Sequence, residues 1–166
     1  MMMKLMRGAA LMMVMASPAM AQDSGIEIGV AAPAAAVSSL DGKPANLSRH
    51  IGKMPVVMEF WATWCPVCKE LEPAMAGLFA KYGTKVTFVN VAVSVNQSPA
   101  LVQRYVKRHK MGGIHYFDTK GDATGLYDVP ATSYVVVVDR SGKVVYTGVG
   151  GKQGPKIEAA VKRVIR

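Results

Sequence analysis

The sequence has few cysteines, no long apolar run and a shortage of acidic residues. Two cysteines in 166 residues exclude a scaffold held together by several disulfides. No apolar stretch approaches the roughly 20 residues that a membrane-crossing helix needs, which excludes a conventional multispan protein. The 20 basic residues outnumber the 11 acidic ones, and the formal net charge is +9. Because the basic residues are dispersed and not interleaved with aromatic residues, we expect no nucleic acid partner.

Apolar residues, in contrast, are plentiful. They make up 51% of the chain, and charged residues make up 19%. This composition is typical of a globular protein and not of a disordered one. The length fits one domain of ordinary size, so a separate substrate domain is not expected.

The N-terminal segment has the pattern of an export signal. Lys4 and Arg7 precede a short apolar run, and small residues end the segment at Ala21. We predict a signal peptide over residues 1–21 and a single domain over residues 22–166. An uncleaved membrane anchor is the alternative, but the apolar run is shorter than a membrane span.

The rest of the chain alternates strand-like and helix-like patterns. Strands are predicted at 35–40, 44–47, 55–61, 85–93, 114–117, 132–139 and 144–149, and helices at 66–82, 98–110, within 119–127 and from Pro155 onward. The run 55–61 is apolar throughout, as in a strand covered on both faces. Gly83 is expected to end the first helix with a positive φ. The pattern predicts an α/β domain with a mixed sheet.

A Cys-x-x-Cys pair lies where the buried strand leads into the first helix. A thiol at a helix start faces unpaired backbone N–H groups and the positive end of the helix dipole, and both stabilise the thiolate. Cys65 is therefore the predicted nucleophile. Cys68, one turn further along, is close enough to form a disulfide with it and suits the resolving role.

The two cysteines have four alternative uses. A zinc site with His109 and His115 is disfavoured by the long interval that separates these histidines from the cysteine pair. Covalent haem is disfavoured because Lys69 follows Cys68 where the attachment motif has histidine. A structural disulfide in an exported binding domain would restrain only a very short loop. A copper carrier that uses both sulfurs as soft ligands is a further alternative.

Residues 60–69, Phe-Trp-Ala-Thr-Trp-Cys-Pro-Val-Cys-Lys, resemble the active-site segment of thioredoxin-fold proteins. The similarity is greatest to the exported TlpA/ResA/CcmG-like thiol-disulfide oxidoreductases and extends over almost the whole chain after the signal segment. The resemblance implies a thioredoxin-like fold with a central mixed β-sheet flanked by helices. It also implies an N-terminal β-hairpin extension and an inserted helix-strand segment at about 98–127.

The resemblance assigns substrate contacts around the dithiol. It implies that Pro130 is a cis-proline facing the cysteines and that Val129 offers its backbone to a substrate strand. Trp64, next to Cys65, is expected to cover the disulfide and to contact substrate.

Pro66 and Val67 lie between the cysteines and are expected to contact substrate as well. They differ from the Gly-Pro of reducing thioredoxins, and they alter the reduction potential in a direction that the sequence does not give.

Glu59 stands out as an acidic residue in an otherwise apolar strand, where burial is costly without a partner or a purpose. In thioredoxin-like proteins this position often holds a buried acid beneath the second cysteine. The resemblance therefore implies that Glu59 accepts a proton from Cys68, with its pKa raised by burial. ResA-like proteins carry a glutamate where this chain has Leu71, so Glu70 is an alternative acid. A carboxylate merely paired at the end of the strand is the structural alternative.

The resemblance implies an activity as well as a fold. We expect a periplasmic, monomeric reductase of disulfides in exported proteins that needs no cofactor and receives electrons from a membrane thiol reductase. Members of the family serve apocytochrome c, copper-site proteins and other exported thiols, and the sequence does not separate these substrates.

Overall fold

A seven-stranded mixed sheet forms the middle of the fold in the computed structural model, which describes residues 25–166. Its strands are β1 (Ala36–Ser39), β2 (Pro44–Asn46), β3 (Val56–Trp61), β4 (Thr87–Val93), β5 (Ile114–Asp118), β6 (Tyr134–Val138) and β7 (Val144–Val149), in the order β2-β1-β5-β4-β3-β6-β7. Strands β3, β4 and β5 are parallel to one another, and the other neighbouring pairs are antiparallel. The predicted signal peptide over residues 1–21 lies outside the described residues.

Strand β3 is the central element, as its apolar run predicts. All six of its residues are buried, because β4 and β6 cover its two edges and helices cover both faces of the sheet. Successive side chains alternate between the faces, so Glu59 points to the same face as Val57 and Trp61. In the ladder Glu59 lies opposite Asn90 of β4 and Val135 of β6.

Four α-helices of the described region flank the sheet: α1 (Pro66–Tyr82), α2 (Pro99–His109), α3 (Asp122–Leu126) and α4 (Gly154–Val164). Helices α1 and α4 pack on the Val57 side, where Leu71 and Ile157 belong to one apolar cluster. Helix α3 packs on the opposite side, where Ala123 joins the cluster around Phe60. This arrangement confirms the predicted α/β class with helices on both faces of a mixed sheet.

Helix α1 begins right after β3 with Pro66 in its first turn, where the missing N–H of proline removes no helical hydrogen bond. Its last residue is followed by Gly83, whose φ is −61°. The expected positive φ at Gly83 is therefore wrong, and Gly83 N–H simply donates the last helical hydrogen bond, to Phe79 O. Helix α2 ends instead in a left-handed residue, Lys110.

The N-terminal hairpin and the inserted segment form one edge of the sheet together. Strands β1 and β2 pair through a turn in which Gly42 has a φ of +86°, and β1 also pairs with β5 of the insertion. Among the described helices, none combines the length and the apolarity needed to cross a membrane.

Candidate active site

The two cysteines form a disulfide at the start of α1. Cys65 is the N-cap residue and Cys68 lies in the first turn, with 5.3 Å between their Cα atoms. The backbone N–H of Cys68 donates to Cys65 Sγ at 3.1 Å. In the reduced protein this donor and the helix dipole would both stabilise negative charge on Cys65.

Exposure does not distinguish the two cysteines, because Cys65 is 2% exposed and Cys68 is 5% exposed. Their surroundings do distinguish them. Cys68 lines a cavity between the sheet and helices α1 and α2. The Sγ atom of Cys65 instead contacts the Thr132 hydroxyl, which donates to it at 3.2 Å.

The segment before β6 approaches the disulfide through a different residue from the one predicted. All peptide bonds of residues 25–166 are trans, including the bond before Pro130, so the predicted cis-proline is wrong. Pro130 is exposed, and Val129 packs against the cluster around Phe60. Thr132, two residues after Pro130, supplies the side chain that touches Cys65. The residue after Thr132, Ser133, has a left-handed backbone conformation, with a φ of +65°.

Hydrogen bonds hold Ser133 in this left-handed conformation. Its N–H donates to Phe60 O at 2.8 Å, and its carbonyl accepts from the Gln153 side chain at 2.8 Å and from Gly150 N–H at 3.2 Å. The residue is fully buried. Because Ser133 is tied to β3 and to the start of α4, the hydroxyl of Thr132 is held against the disulfide.

An exposed apolar surface adjoins the cysteines. Trp64 is 43% exposed and Val67 is 40% exposed, whereas Trp61 is buried in the core. The indole N–H of Trp64 donates to Val95 O at 2.8 Å, which fixes the ring, and Val95 is itself exposed. Together with Pro66, which is also exposed, these side chains offer a partner protein an apolar contact next to the disulfide.

The loop that carries the disulfide is fastened to the end of β4 by Gln97. The side-chain oxygen of Gln97 accepts hydrogen bonds from both N–H and O–H of Thr63, each at 2.9 Å. The amide nitrogen of Gln97 donates to Val93 O. One side chain thus links the β3-α1 loop to the β4-α2 loop.

Glu59 is buried in β3, as predicted, with 3% of its surface exposed. Its side chain and that of Cys68 line the same cavity, which has a volume of about 380 Å³. Burial raises the pKa of Glu59 to about 8, and the negative charge of Glu72 adds to this effect. A carboxyl group with such a pKa exchanges protons near neutral pH.

Glu72, Tyr105 and His109 line the same cavity, although the sequence patterns assign them no role in the site. Glu72 accepts a hydrogen bond from Tyr105 at 3.0 Å and pairs with His109 Nδ1 at 2.8 Å. Burial and the Glu72 hydrogen bond raise the pKa of Tyr105 to about 12. Two spacings in the sequence carried this signal, because Glu72 follows Cys68 by four residues and His109 follows Tyr105 by four.

Glu70, the alternative acid, points elsewhere. Its side chain is exposed and packs against Gly151, where an added Cβ atom would overlap the carboxyl group. Gly151 precedes α4, and neither Gly151 nor Glu70 lines the cavity. The structure therefore brings Glu59 and Glu72 together near Cys68 and does not bring Glu70 to the same place.

Comparison with known proteins assigns this arrangement to a family. The sequence model of the Redoxin family matches residues 27–165, almost all of the described chain. This chain belongs to the Redoxin family. With a disulfide at the start of α1 and a thioredoxin-like fold, it is a thiol-disulfide oxidoreductase of the TlpA/ResA/CcmG-like type.

Similar sequences and structures agree with this assignment. The thiol-disulfide oxidoreductase ResA of Bacillus thuringiensis is 28% identical over 143 residues, which cover 86% of this chain and 82% of the relative. A thiol:disulfide interchange protein of Chlorobium tepidum is 26% identical with a TM-score of 0.67, covering 85% of this chain and 99% of that one. Mycobacterium tuberculosis DsbF, solved in mixed oxidised and reduced forms, is 26% identical with a TM-score of 0.68, covering 78% and 93% of the two chains.

Proposed function

We propose that this Redoxin-family chain reduces disulfides in exported partner proteins. The thiolate of Cys65 attacks a partner disulfide, forms a mixed disulfide and releases one partner sulfur as a thiolate. Cys68 then attacks Cys65 Sγ and releases the second partner sulfur. Two electrons pass to the partner, and the enzyme is left with the Cys65–Cys68 disulfide.

Glu59 is the proposed base for the second step. It takes the proton of the Cys68 thiol, and the departing partner sulfur is protonated from solvent. The observation that carries this proposal is the cavity that Cys68 and Glu59 share beneath the start of α1. A pKa of about 8 leaves Glu59 able both to take up and to give up a proton near neutral pH.

The partner is proposed to bind across the start of α1. Trp64, Pro66 and Val67 supply apolar contact on one side of the disulfide. On the other side, a substrate strand would run along the segment that contains Val129 and Pro130, with Thr132 as the residue nearest the reacting sulfur. A mixed disulfide with Cys65 fits between these two surfaces.

Direction, location and electron supply are part of the same proposal. The resemblance to the TlpA/ResA/CcmG-like proteins is the reason for proposing the reducing direction, and the export pattern of residues 1–21 favours the periplasm. The oxidised enzyme then needs a thiol reductase in the membrane to restore its dithiol. We propose that the chain works as a monomer.

Trapping of the intermediate tests this function. In Cys68→Ala the mixed disulfide cannot be resolved, so exported proteins should accumulate on Cys65 as bands that disappear on reduction. The matched control is Cys65→Ala, which retains one thiol and should trap no partner. Insulin reduction should be lost in Cys65→Ser. Equal trapping by both alanine variants, or insulin reduction by Cys65→Ser, would reject Cys65 as the nucleophile.

A further inference from the structure

The cavity beneath Cys68 connects Glu59 to a hydrogen-bonded group at the surface. We propose that Glu72, held by Tyr105 and His109, is the proton exit of Glu59. This inference rests on the proposed function, in which Glu59 is the base for Cys68. It adds a positioning role for three residues of α1 and α2 that do not touch the substrate.

The inner end of the path holds two polar groups that lack partners. The carboxyl group of Glu59 makes no hydrogen bond to another residue of the 25–166 region, and neither does the buried indole N–H of Trp61. Both side chains line the cavity. A cavity of about 380 Å³ with an unpaired donor and an unpaired acceptor has the size and polarity to hold water. Water in it would carry a proton between Glu59 and the next acceptor.

Exposure increases stepwise toward the outer end. Glu59 is 3% exposed, the side chain of Glu72 is 22% exposed and that of His109 is 31% exposed. The rings of Tyr105 and His109 stack at 3.8 Å between centroids, and both bind the Glu72 carboxylate. This double contact holds Glu72 at the cavity wall. Histidine is the side-chain type that best passes protons to solvent near neutral pH.

The other charged and titratable groups of the cavity lie at its wall. Helix α1 contributes Cys68 and Lys69 in addition to Glu72, and α2 and its end contribute Tyr105, His109 and Lys110. Strand β4 contributes the neutral Asn90, whose side chain donates to Gly112 O. Among the groups that line the cavity, Glu72 is the only carboxylate besides Glu59 available to receive its proton.

The exit matters at neutral pH because Glu59 is then largely protonated. With a pKa of about 8, the carboxyl group must lose its proton before it can take one from Cys68. That proton passes through the cavity to Glu72, then to His109 and to solvent. After Glu59 has taken the proton of Cys68, that proton leaves by the same route, and Glu59 is ready for the next cycle.

If Glu72 acted on Glu59 only through its charge, the opposite result would be expected. The charge of Glu72 raises the pKa of Glu59, so Glu72→Gln should ionise more of Glu59 at pH 7. If protons leave Glu59 freely by another route, this variant should resolve mixed disulfides faster than the wild type. If Glu72 is the exit, the variant should resolve them more slowly although its base is more ionised.

The test is the rate at which the mixed disulfide with glutathione resolves at pH 7, measured in the full chain by stopped flow. We expect Glu72→Gln and His109→Gln to slow this step by about threefold or more. Added imidazole, a small proton carrier, should restore the rate in both variants and leave the wild type unchanged. Glu70→Gln, the same change two residues away and outside the cavity, should behave as wild type. Faster or unchanged resolution in Glu72→Gln would overturn the proposal that Glu72 is the proton exit. Slowing that imidazole does not relieve would overturn it as well.

Glu59→Gln separates failure of the exit from failure of the base. In the Glu59→Gln background, Glu72→Gln should have no further effect, because no proton then needs to leave. If Glu59→Gln resolves the mixed disulfide slowly and Glu72→Gln resolves it fast, Glu72 is rejected as the proton exit and Glu59 is retained as the base. If Glu59→Gln resolves the mixed disulfide at the wild-type rate, Glu59 is rejected as the base.

Discussion

At the residue scale, the Thr132 hydroxyl is placed to adjust the chemistry of Cys65. It lies 3.2 Å from Cys65 Sγ and is held there by the backbone of Ser133. A hydroxyl donates more strongly to a thiolate than to a disulfide sulfur, because hydrogen bonds to charged groups are stronger. Thr132 therefore stabilises the reduced form relative to the oxidised form.

Thr132→Val tests this effect with almost no change in side-chain shape. Loss of the donor should raise the pKa of Cys65, because the thiolate loses a hydrogen bond that stabilises its charge. It should also make the reduction potential more negative by about 15 to 30 mV, since the reduced form loses stabilisation. Thiolate absorbance against pH measures the first quantity. Thr119→Val, at an exposed site of the inserted segment, is the control and should change neither quantity.

The residue scale also shows where sequence reasoning ends. The roles of Cys65, Cys68 and Glu59 rest on local features: a helix start, a one-turn spacing and an acid in an apolar strand. The Thr132 contact joins residues 67 positions apart, and nothing in the local sequence indicates it. The cis bond expected before Pro130 is wrong, and the local sequence likewise does not show which residue of this connecting loop meets the disulfide.

At the scale of elements, the loop that carries the dithiol depends on a neighbouring loop. Gln97 satisfies Thr63 N–H and Thr63 O–H at once and also binds the last residue of β4. Without it, a half-buried backbone N–H of the active-site loop loses its partner. The position of Trp64 should depend on the same link, because its indole binds Val95 of the second loop.

Gln97→Ala should lower the free energy of unfolding by about 1 to 3 kcal/mol, the usual penalty for leaving a buried donor unpaired. Hydrogen exchange at Thr63 N–H should accelerate as well, because the loop is released. Gln103→Ala, the same change on α2, is the control for the loss of side-chain contacts. Equal effects of the two substitutions on Thr63 exchange would contradict the role of Gln97 as the link between the loops.

Local sequence patterns predict the helices and strands more completely than they predict the contacts of the active site. Ser98 caps α2 through its hydroxyl, as its residue type predicts, and the buried run of β3 is central. Gly83 shows the limit, because glycine permits a positive φ but does not require one. The pairing of β1 with β5 was outside local reasoning, since it joins the N-terminal hairpin to the inserted segment.

At the scale of the whole molecule, the raised pKa of Glu59 should lower the free energy of unfolding at neutral pH. Its pKa rises from 4.5 to about 8 on folding. Between these values the unfolded chain ionises Glu59 while the folded chain keeps it protonated, so the free energy of unfolding falls as the pH rises. Below pH 4.5 the penalty is absent, and it is complete above pH 8.

Glu59→Gln should remove this penalty. The gain in unfolding free energy over the wild type should be small at pH 5 and should grow by about 3 kcal/mol by pH 7.5, at about 1.4 kcal/mol per pKa unit. Denaturant unfolding of the oxidised proteins at several pH values measures the difference, and other titrating groups cancel in it. A constant difference across this range would show that folding does not raise the pKa of Glu59.

Equilibration of the full chain with glutathione or dithiothreitol buffers tests whether the Cys65–Cys68 pair is a reducing redox couple. We predict one reversible two-electron transition, with about 30 mV per tenfold change in the ratio of the two forms, and a potential nearer the −270 mV of thioredoxin than the roughly −120 mV of DsbA. The transition should be absent in Cys65→Ser. A pair that does not open and close reversibly, or one that titrates near the DsbA value, would show that this chain is not a disulfide reductase.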